Sequence, residues 1–149
     1  SQKEAEHILK NFEIDIIQLP FNLLDSNLEK KNILTNYQKR KVEIHARSVF
    51  LQGLFFMKKD NIPKKLLPLK PALEMLSGLC LEYNTDMQSL AINYVLNQDS
   101  IDKIIIGIDN KNHLLNNISC LNDNINNEVI ELIDQINVSN YKLLHPINW

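Results

Sequence analysis

Short apolar stretches alternate along this chain with longer charged stretches of helical periodicity. Three of the apolar stretches predict β-strands, at Ile14–Leu19, Val42–Ser48 and Lys103–Ile108. Each ends in polar residues and is followed by a helix, which is typical of an α/β fold made of parallel βα repeats. Because the carboxyl ends of parallel strands meet at one edge of the sheet, we expect the ligand site there.

Apolar residues that recur every three or four positions predict the helices. The predicted helices are Gln2–Asn11, a helix from Ser26 to about Lys39, Ala72–Tyr83, Asp86–Asn97, Lys111–Leu121 and Asn127–Ile136. Capping boxes that begin at Ser26 and Thr85 predict the starts of two of them. Between the helices, Val49–Phe56 is predicted to be an apolar loop and Lys58–Pro71 an exposed connection. The tail, Asn137–Trp149, is predicted to be irregular and packed.

The second and third predicted strands differ in pattern. The third holds the continuous apolar run Ile104–Ile106, which a buried parallel strand favours. The second alternates between two sets of side chains: Val42, Ile44 and Ala46 on one side, and Glu43, His45 and Arg47 on the other. Alternation of this kind indicates a strand with one solvated face.

Composition narrows the class of protein. The chain has 149 residues, enough for one domain, and its formal net charge of −2 gives no general attraction to nucleic acid or to an anionic membrane. No apolar run reaches the roughly 18 residues of a membrane span. Cys80 and Cys120 lie on apolar helical segments, so we expect reduced thiols and a cytoplasmic protein. The chain begins without Met, and we expect a processed product or a fragment.

Few residues suggest catalytic or metal chemistry by themselves. His7, His45 and His145 lack metal-ligand spacing and are expected to be structural or solvated, so no metal is predicted. Tyrosines at apolar helical positions are expected in the core: Tyr37, Tyr83 and Tyr94. With three glycines in the chain, each is expected where the backbone needs it.

Four segments resemble the aldo-keto reductase family. They are Ile16-Ile-Gln-Leu-Pro-Phe-Asn22, Ala46-Arg-Ser-Val-Phe-Leu-Gln-Gly-Leu54, Leu90-Ala-Ile-Asn-Tyr-Val-Leu96, and Ile105-Ile-Gly-Ile-Asp109 with Leu114-Leu-Asn-Asn117. In order, they resemble the sixth strand with its Gln-x-x-Tyr-Asn turn, the segment after the seventh strand, the helix before the eighth strand, and the eighth strand with its Glu-Asn helix. Each is weak alone, but order and spacing agree from about Gln2 to Leu121.

The resemblance implies the C-terminal half of a (β/α)8 TIM barrel, strands six to eight with their helices. Residues 1–149 would then be a single partial domain with a C-terminal tail at 137–149. Such a half-barrel has open sheet edges, and its inner face, expected to include Ile16 and Ile44, would meet water. We therefore expect a partner: the missing N-terminal half-barrel or a second copy of the chain.

The resemblance also implies a nicotinamide cofactor, NADP or NAD. Gln18 would hydrogen-bond the nicotinamide carboxamide, since an amide offers both a donor and an acceptor. Phe21 replaces the family's usual Tyr, and its ring either stacks on the nicotinamide or packs as a core aromatic under the turn. Asn22 is interpreted as a turn residue.

The phosphates would be bound by the next two turns. Ser48, Leu51 and Gly53 would line the pyrophosphate through backbone N–H groups and a hydroxyl. Arg47 either pairs with phosphate or is a solvated strand residue. Gly107 lies just before a helix N-terminus, which is a natural anion site.

The third turn and its helix would decide between the two cofactors. Lys111 and His113 suit a 2′-phosphate, whereas Asp109 suits a ribose hydroxyl, so the choice between NADP and NAD stays open. Asn117 matches the family's adenine-contacting Asn. Asn116 replaces the usual Glu beside it, and both are otherwise ordinary polar residues of a helix surface.

The function implied is one part of an enzyme that moves a hydride between a nicotinamide and a small carbonyl or alcohol. The family's catalytic Asp, Tyr, Lys and His lie on the first four strand ends, and nothing in this chain corresponds to them. No catalytic residue is therefore predicted, and the chain alone is expected to be inactive. The alternative is a non-catalytic α/β nucleotide-binding or interaction module.

Overall fold

The structure, a computed structural model, describes His7 and residues 11–149, without the side chains of residues 28 and 29. The described strands are β1 (Ile16–Pro20), β2 (Glu43–Arg47) and β3 (Lys103–Ile104). The described α-helices are α1 (Leu28–Lys39), α2 (Lys70–Glu82), α3 (Met87–Leu96), α4 (Lys111–Ser119) and α5 (Asn127–Asp134). The predicted helix Gln2–Asn11 lies outside the described residues except for its positions 7 and 11.

The three strands form one parallel sheet in the order β1-β2-β3, which confirms the predicted βα repeats. Gln18 is in register with His45, and His45 with Lys103, so the carboxyl ends meet at one edge. The third strand is shorter than predicted. After Ile105, whose N–H donates to Ala46 O at 2.8 Å, the chain leaves the sheet. In the described part of the chain no strand pairs with the outer edge of β3 to hold the residues that follow.

The sheet has one covered face and one open face. Ile44 and Ala46 are fully buried on the covered face, whereas Ile16 and Gln18 are exposed on the open face. This confirms the prediction that the second strand is solvated on one side. The expectation that Ile44 lies on the open face is wrong: successive side chains of a strand point to opposite faces, and Ile44 is paired with Ile17, not with Ile16.

The helices and the tail cover the other face with one apolar core. Its largest fully buried side chains include Leu34, Ile44, Leu76, Leu90 and Tyr94. The tail packs as predicted, since Val138, Leu143 and Leu144 are buried and Trp149 Nε1 donates to Leu143 O at 2.8 Å. It is more regular than predicted, with 3-10 turns at Tyr141–Leu144 and Pro146–Asn148.

The loop predictions need correction. The predicted connection Lys58–Pro71 is only partly exposed, because Ile62, Leu66 and Leu69 are buried in the core. The predicted loop Val49–Phe56 contains 3-10 turns over Leu51–Phe56.

Both capping residues lie one position later than predicted. Asn27 Oδ1 accepts from Lys30 N at 2.9 Å, and Asp86 Oδ1 accepts from Ser89 N at 2.8 Å. The residue predicted as the first cap, Ser26, instead bonds to Tyr94.

A polar cluster around the buried Tyr94 joins the helices behind the sheet. The Tyr94 hydroxyl donates to Asp134 Oδ1 and lies 2.7 Å from Ser26 Oγ. Lys31 Nζ contacts both oxygens of Asp134, at 2.8 and 2.6 Å. Burial, reinforced by the contact with Asp134, raises the pKa of Tyr94 well above its ordinary value. The cluster ties α1, α3 and α5 together.

Two further findings bear on the predicted cellular setting. Cys120 is buried and Cys80 half-buried, both as free thiols, and burial raises the pKa of Cys80 to about 11. Among the described residues, no helix is both long enough and apolar enough to cross a membrane.

Candidate functional site

The turns that follow β1 and β2 are joined by a buried asparagine. Asn22 Nδ2 donates to Ser48 O at 3.2 Å, and Asn22 Oδ1 accepts from the backbone N–H groups of Leu24 and Asp25, both at 3.1 Å. Asn22 is fully buried, so these bonds satisfy a side chain that water does not reach. The interpretation of Asn22 as a turn residue is confirmed, and the residue also fixes the second turn against the first.

Gln18 presents its amide at this carboxyl edge. It lies three residues before the first turn, is exposed, and shares the open face with Arg47. Its amide offers both a donor and an acceptor to a ligand that approaches this face. The side chain that was predicted to contact the nicotinamide carboxamide, Gln18, is therefore exposed.

Unlike the side chain of Gln18, that of Phe21 is not accessible to a ligand. Its side chain has 0% relative exposure, and its ring stacks on Tyr94 with centroids 6.1 Å apart and planes 15° apart. Lys30 Nζ lies over the same ring, 6.0 Å from its centroid. Of the two predicted alternatives, the structure has the core aromatic, and a nicotinamide finds no free face on this ring.

The turn after β2 is built from left-handed backbone. Ser48, Leu51, Gln52 and Gly53 have φ angles of 59°, 45°, 55° and 79°. Gly53 suits this conformation without steric cost, so its predicted need for glycine is confirmed. The other three residues adopt left-handed backbone despite having a Cβ.

This backbone changes which groups could face a pyrophosphate. The N–H of Leu51 donates to Ser48 O at 2.9 Å, the N–H of Gly53 donates to Phe50 O at 2.9 Å, and the Leu51 side chain is buried. These two N–H groups are therefore occupied within the turn. The outward groups are the Ser48 hydroxyl and the exposed Arg47, whose Nη1 donates to Ser48 Oγ at 3.3 Å.

The third turn leads into the N-terminus of α4. Asn110 caps this helix, with Oδ1 accepting from His113 N at 3.0 Å. Asp109 Oδ2 lies 3.6 Å from His113 Nδ1, and Lys111, two residues before His113 in the chain, is exposed. Of the three groups that were predicted to contact a ribose or a 2′-phosphate, the structure thus brings Asp109 and His113 together, and Lys111 lies in the same exposed first turn of α4.

Gly107 departs from the expectation for glycine. Its φ is not in the left-handed region, and a Cβ placed there would meet nothing within 4 Å. Neither conformation nor crowding within this chain requires glycine at this position. Its backbone is open to a ligand on that side.

Asn117 lies further along α4 and faces α3. Its Oδ1 accepts from Gln88 Nε2 at 2.6 Å, and both side chains are half-buried. Asn116, beside it, is exposed. The contact from Gln88 was not predicted, because the pairing of two helix faces depends on tertiary packing.

The open face carries a charged group that sequence reasoning left unassigned. Glu43 Oε1 lies 2.5 Å from Lys103 Nζ and 2.7 Å from His45 Nε2. Hydrogen bonds from Lys103 and then from His45 hold the pKa of Glu43 below its ordinary value. The alternation of the second strand was the available signal, since it places Glu43 and His45 on the solvated face. Among described residues, no cluster of His, Cys, Asp and Glu could hold a metal ion.

The parallel sheet, the helices that follow its strands and the order of these elements along the chain define a partial α/β barrel. A sequence profile of the Aldo/keto reductase family matches residues 2–138, and the chain belongs to this family. NADH-specific methylglyoxal reductase from Escherichia coli (strain K12) is 25% identical, over 82% of this chain and 42% of that protein.

Solved structures agree with this fold. Aldo-keto reductase AKR11C1 from Bacillus halodurans, in its holo form, superposes with a TM-score of 0.73 at 18% identity, covering 91% of this chain and 47% of its own. Aldo-keto reductase AKR2E5 of the silkworm Bombyx mori has a TM-score of 0.61 at 17% identity, covering 99% of this chain and 42% of its own. The chain thus spans less than half the length of these relatives, as a partial α/β barrel does.

Proposed function

We propose that this chain supplies the NAD(P)(H)-binding part of an aldo-keto reductase that acts on a small carbonyl or alcohol. The bound nicotinamide would give or take the hydride. The residues of this chain would bind and orient the dinucleotide, and the groups that move protons would come from elsewhere in the complete enzyme. On this proposal the chain alone is inactive.

The observation that carries the proposal is the meeting of three open polar groups at one edge of a parallel sheet. Gln18 lies within β1, Arg47 ends β2 with Ser48 directly after it, and the N-terminus of α4 follows β3. The carboxyl ends of these three strands coincide. Ligands of parallel α/β proteins bind at this edge. The donor set also fits a dinucleotide, with an amide for the carboxamide and cations for the phosphates.

Each group has a distinct part in the proposed site. Gln18 would pair with the carboxamide and fix which face of the nicotinamide meets the substrate. Arg47 and Ser48 would bind the pyrophosphate in place of the occupied N–H groups of Leu51 and Gly53. Because the Phe21 ring is buried, it would support the turn from below and not contact the nicotinamide.

The choice between NADP and NAD depends on the surface around Lys111. The E. coli relative is named as NADH-specific, and here Asp109 suits the free ribose hydroxyl of NADH. Lys111 and His113 suit a 2′-phosphate. We expect Lys111→Ala to weaken NADPH binding about two- to fivefold, as for an exposed charge pair, and to leave NADH binding unchanged if the phosphate contact exists. Equal weakening of both ligands would exclude a phosphate contact.

We also propose that a second polypeptide segment completes the barrel, either the N-terminal half of the same protein or a second copy of this chain. Two features of the described residues support this: β3 and β1 each have an unpaired outer edge, and α4 exposes apolar side chains. Free thiols at Cys80 and Cys120 support a reducing compartment such as the cytoplasm. Sedimentation of the 149-residue chain as a compact monomer would count against self-association.

The proposal is tested by titrating the 149-residue chain with NADH and NADPH and following the nicotinamide fluorescence. Gln18→Leu removes the donor and the acceptor, and we expect Kd to rise about tenfold, since one buried polar contact contributes about 1.4 kcal/mol. Gln135→Leu is the matched control, because Gln135 is also exposed but lies at the end of α5. Absence of binding by the wild-type chain, or equal effects of the two substitutions, would refute the proposal.

A further inference from the structure

A histidine lies beside Gln18 on the open face of the sheet. Gln18 of β1 is in register with His45 of β2, and His45 is in register with Lys103 of β3. Neighbouring strands of a sheet lie about 4.8 Å apart, and residues in register point to the same face. The side chain that the proposed function assigns to the nicotinamide carboxamide is therefore flanked by an imidazole.

A carboxylate holds this imidazole in place. His45 Nε2 lies 2.7 Å from Glu43 Oε1. Because a carboxylate only accepts hydrogen bonds, Nε2 carries the hydrogen of this bond, and Nδ1 is the nitrogen that can gain or lose a proton. The His45 side chain is 13% exposed, so the ring is held by Glu43 and still reaches water, with which a proton can exchange.

The charged groups that face His45 come from two strands. Glu43 and Arg47 lie on the same face of β2, two residues before and two residues after it, and Lys103 faces it from β3. The in-register neighbour in β1, Gln18, is neutral. Hydrogen bonds from Lys103 and then from His45 hold the pKa of Glu43 below its ordinary value, so Glu43 stays ionised near neutral pH. Of these residue types, histidine is the one whose charge ordinarily changes between pH 6 and pH 8.

The two redox forms of the dinucleotide differ in charge at the ring that the proposed function places beside Gln18. The oxidised nicotinamide ring is positively charged, the reduced ring is neutral, and the rest of the dinucleotide is the same in both forms. A positive charge on His45 opposes binding of the oxidised form and has little effect on the reduced form.

We infer that His45 is a specificity-determining residue, which favours the reduced dinucleotide over the oxidised one when its imidazole is protonated. The inference rests on the proposed function and adds to it the redox form that the site prefers. The position of the ring beside Gln18 and its bond to Glu43 carry the inference.

The ratio of Kd for NAD+ to Kd for NADH isolates this effect. A change that acts on the adenosine or on the phosphates enters both constants and cancels in the ratio. We would titrate the 149-residue chain with NADH by its fluorescence, and with NAD+ by displacement of NADH, at pH 6 and at pH 8. The wild-type ratio is expected to be about threefold higher at pH 6, because two charges interact weakly at a site that water reaches.

Two substitutions of His45 separate charge from packing. His45→Gln keeps a donor for Glu43 but does not titrate, so its ratio is expected to be the same at pH 6 and pH 8. His45→Lys has a fixed positive charge, and its ratio is expected to lie about threefold above the wild-type value at pH 8, with no further rise at pH 6. If His45 only supported the sheet, a substitution would change both constants alike and leave the ratio at the wild-type value.

His145→Gln is the matched control. His145 is exposed and lies in the C-terminal tail, which packs on the covered face of the sheet and not beside Gln18. This variant removes a histidine with the same change of side chain, and its ratio should depend on pH as that of the wild-type chain does.

The outcomes separate this inference from the proposed function. If the wild-type chain binds neither NADH nor NAD+, the proposed function fails and this inference with it. If both bind but the ratio is unchanged or lower at pH 6, or if His45→Gln keeps the wild-type pH dependence, the inference fails and the proposed function stands. If His45→Gln does not fold, His45→Lys decides, because a wild-type ratio for that variant at pH 8 would equally overturn the inference.

Discussion

The first and the last βα units of this molecule are built from the same pattern but are held in different ways. In the first, five residues of β1 pair with five of β2, and Leu34 of α1 packs in the same core as Ile44. In the last, two residues of β3 pair with β2, and α4 has no buried residue. The first unit is stabilised by apolar burial, whereas the last unit is joined to the sheet by two paired residues and its helix buries none of its own.

Two side-chain hydrogen bonds from α3 reach the last unit. Asn93 and Gln88 of α3 reach across to the segment of α4 through their amides. Meanwhile α4 and the residues around it expose apolar side chains: Ile105, Ile108, Leu114, Leu115, Ile118 and Leu121. On the proposal that a second segment completes the barrel, these side chains belong to the surface that it would cover. The difference teaches that the first unit buries the apolar side chains of its helix within this chain, whereas the last unit leaves them exposed.

The strongest way to break this comparison is to remove the same side chain from the two units. Ile44→Ala leaves a cavity in the buried sheet and is expected to lower the free energy of unfolding by about 2–5 kcal/mol. Ile105→Ala removes an exposed side chain and is expected to change it by less than about 0.5 kcal/mol. Denaturant titration followed by circular dichroism measures both. Similar losses would mean that the two units are equally packed.

The polar cluster at Tyr94 gives a second contrast, because it joins the first unit to α3 and α5. Tyr94→Phe removes the hydroxyl that bonds buried Ser26 and the more exposed Asp134, and we expect a loss of about 1–3 kcal/mol at pH 7. The folded pKa of Tyr94 lies above its unfolded value of 10, so its contribution is complete below pH 10 and is lost as the pH rises further. The difference in stability between wild type and Tyr94→Phe should therefore shrink above pH 10.

Tyr141→Phe is the control for this pH dependence. Tyr141 is exposed, and its hydroxyl is not bonded to Tyr94, although its electrostatic interaction with Tyr94, weaker than that of Asp134, helps to raise the pKa of Tyr94. Its difference from wild type should be small at neutral pH. A constant gap between wild type and Tyr94→Phe from pH 8 to pH 11 would contradict the assignment.

The smallest expected changes in stability come from removing two equivalent helix caps. Asn27 and Asn110 cap α1 and α4 with the same side-chain bond, and replacing either by Ala removes about 1 kcal/mol from its helix. For Asn27→Ala we expect the loss in global unfolding, because α1 belongs to the core. For Asn110→Ala we expect faster hydrogen exchange within Lys111–Ser119 and little change in global stability. Global loss from both would show that α4 unfolds with the core.

Much of this fold could be predicted from periodicity, and what could not be predicted depended on contacts between elements. The β1 and β2 strands and helices α1 to α5 were predicted within a few residues, since local pattern determines them. The length of β3 was not, because the pairing stops where the sheet lacks a further strand. Caps at Asn27 and Asp86 were missed because each stands beside another good capping residue.

For the candidate site, the sequence predicted which residue types are present but not how their side chains and backbone groups are oriented. An amide at Gln18 and a glycine at Gly53 follow from the motif and the turn. Whether Phe21 faces a ligand or the core depends on Tyr94, 73 positions away in the chain. The Leu51 N–H donates to Ser48 O within the turn because Ser48 has left-handed backbone, which the sequence does not predict.

The order of the strands has a consequence for how the molecule is made. Each strand pairs with the one synthesised before it, so the sheet can grow in the direction in which a ribosome releases the chain. The contact between Lys31 and Asp134 joins residues 103 positions apart, so it forms only after α5 has been released. In the described part of the chain that contact covers neither outer edge of the sheet, so both edges stay open to pairing in the nascent chain and in the folded one.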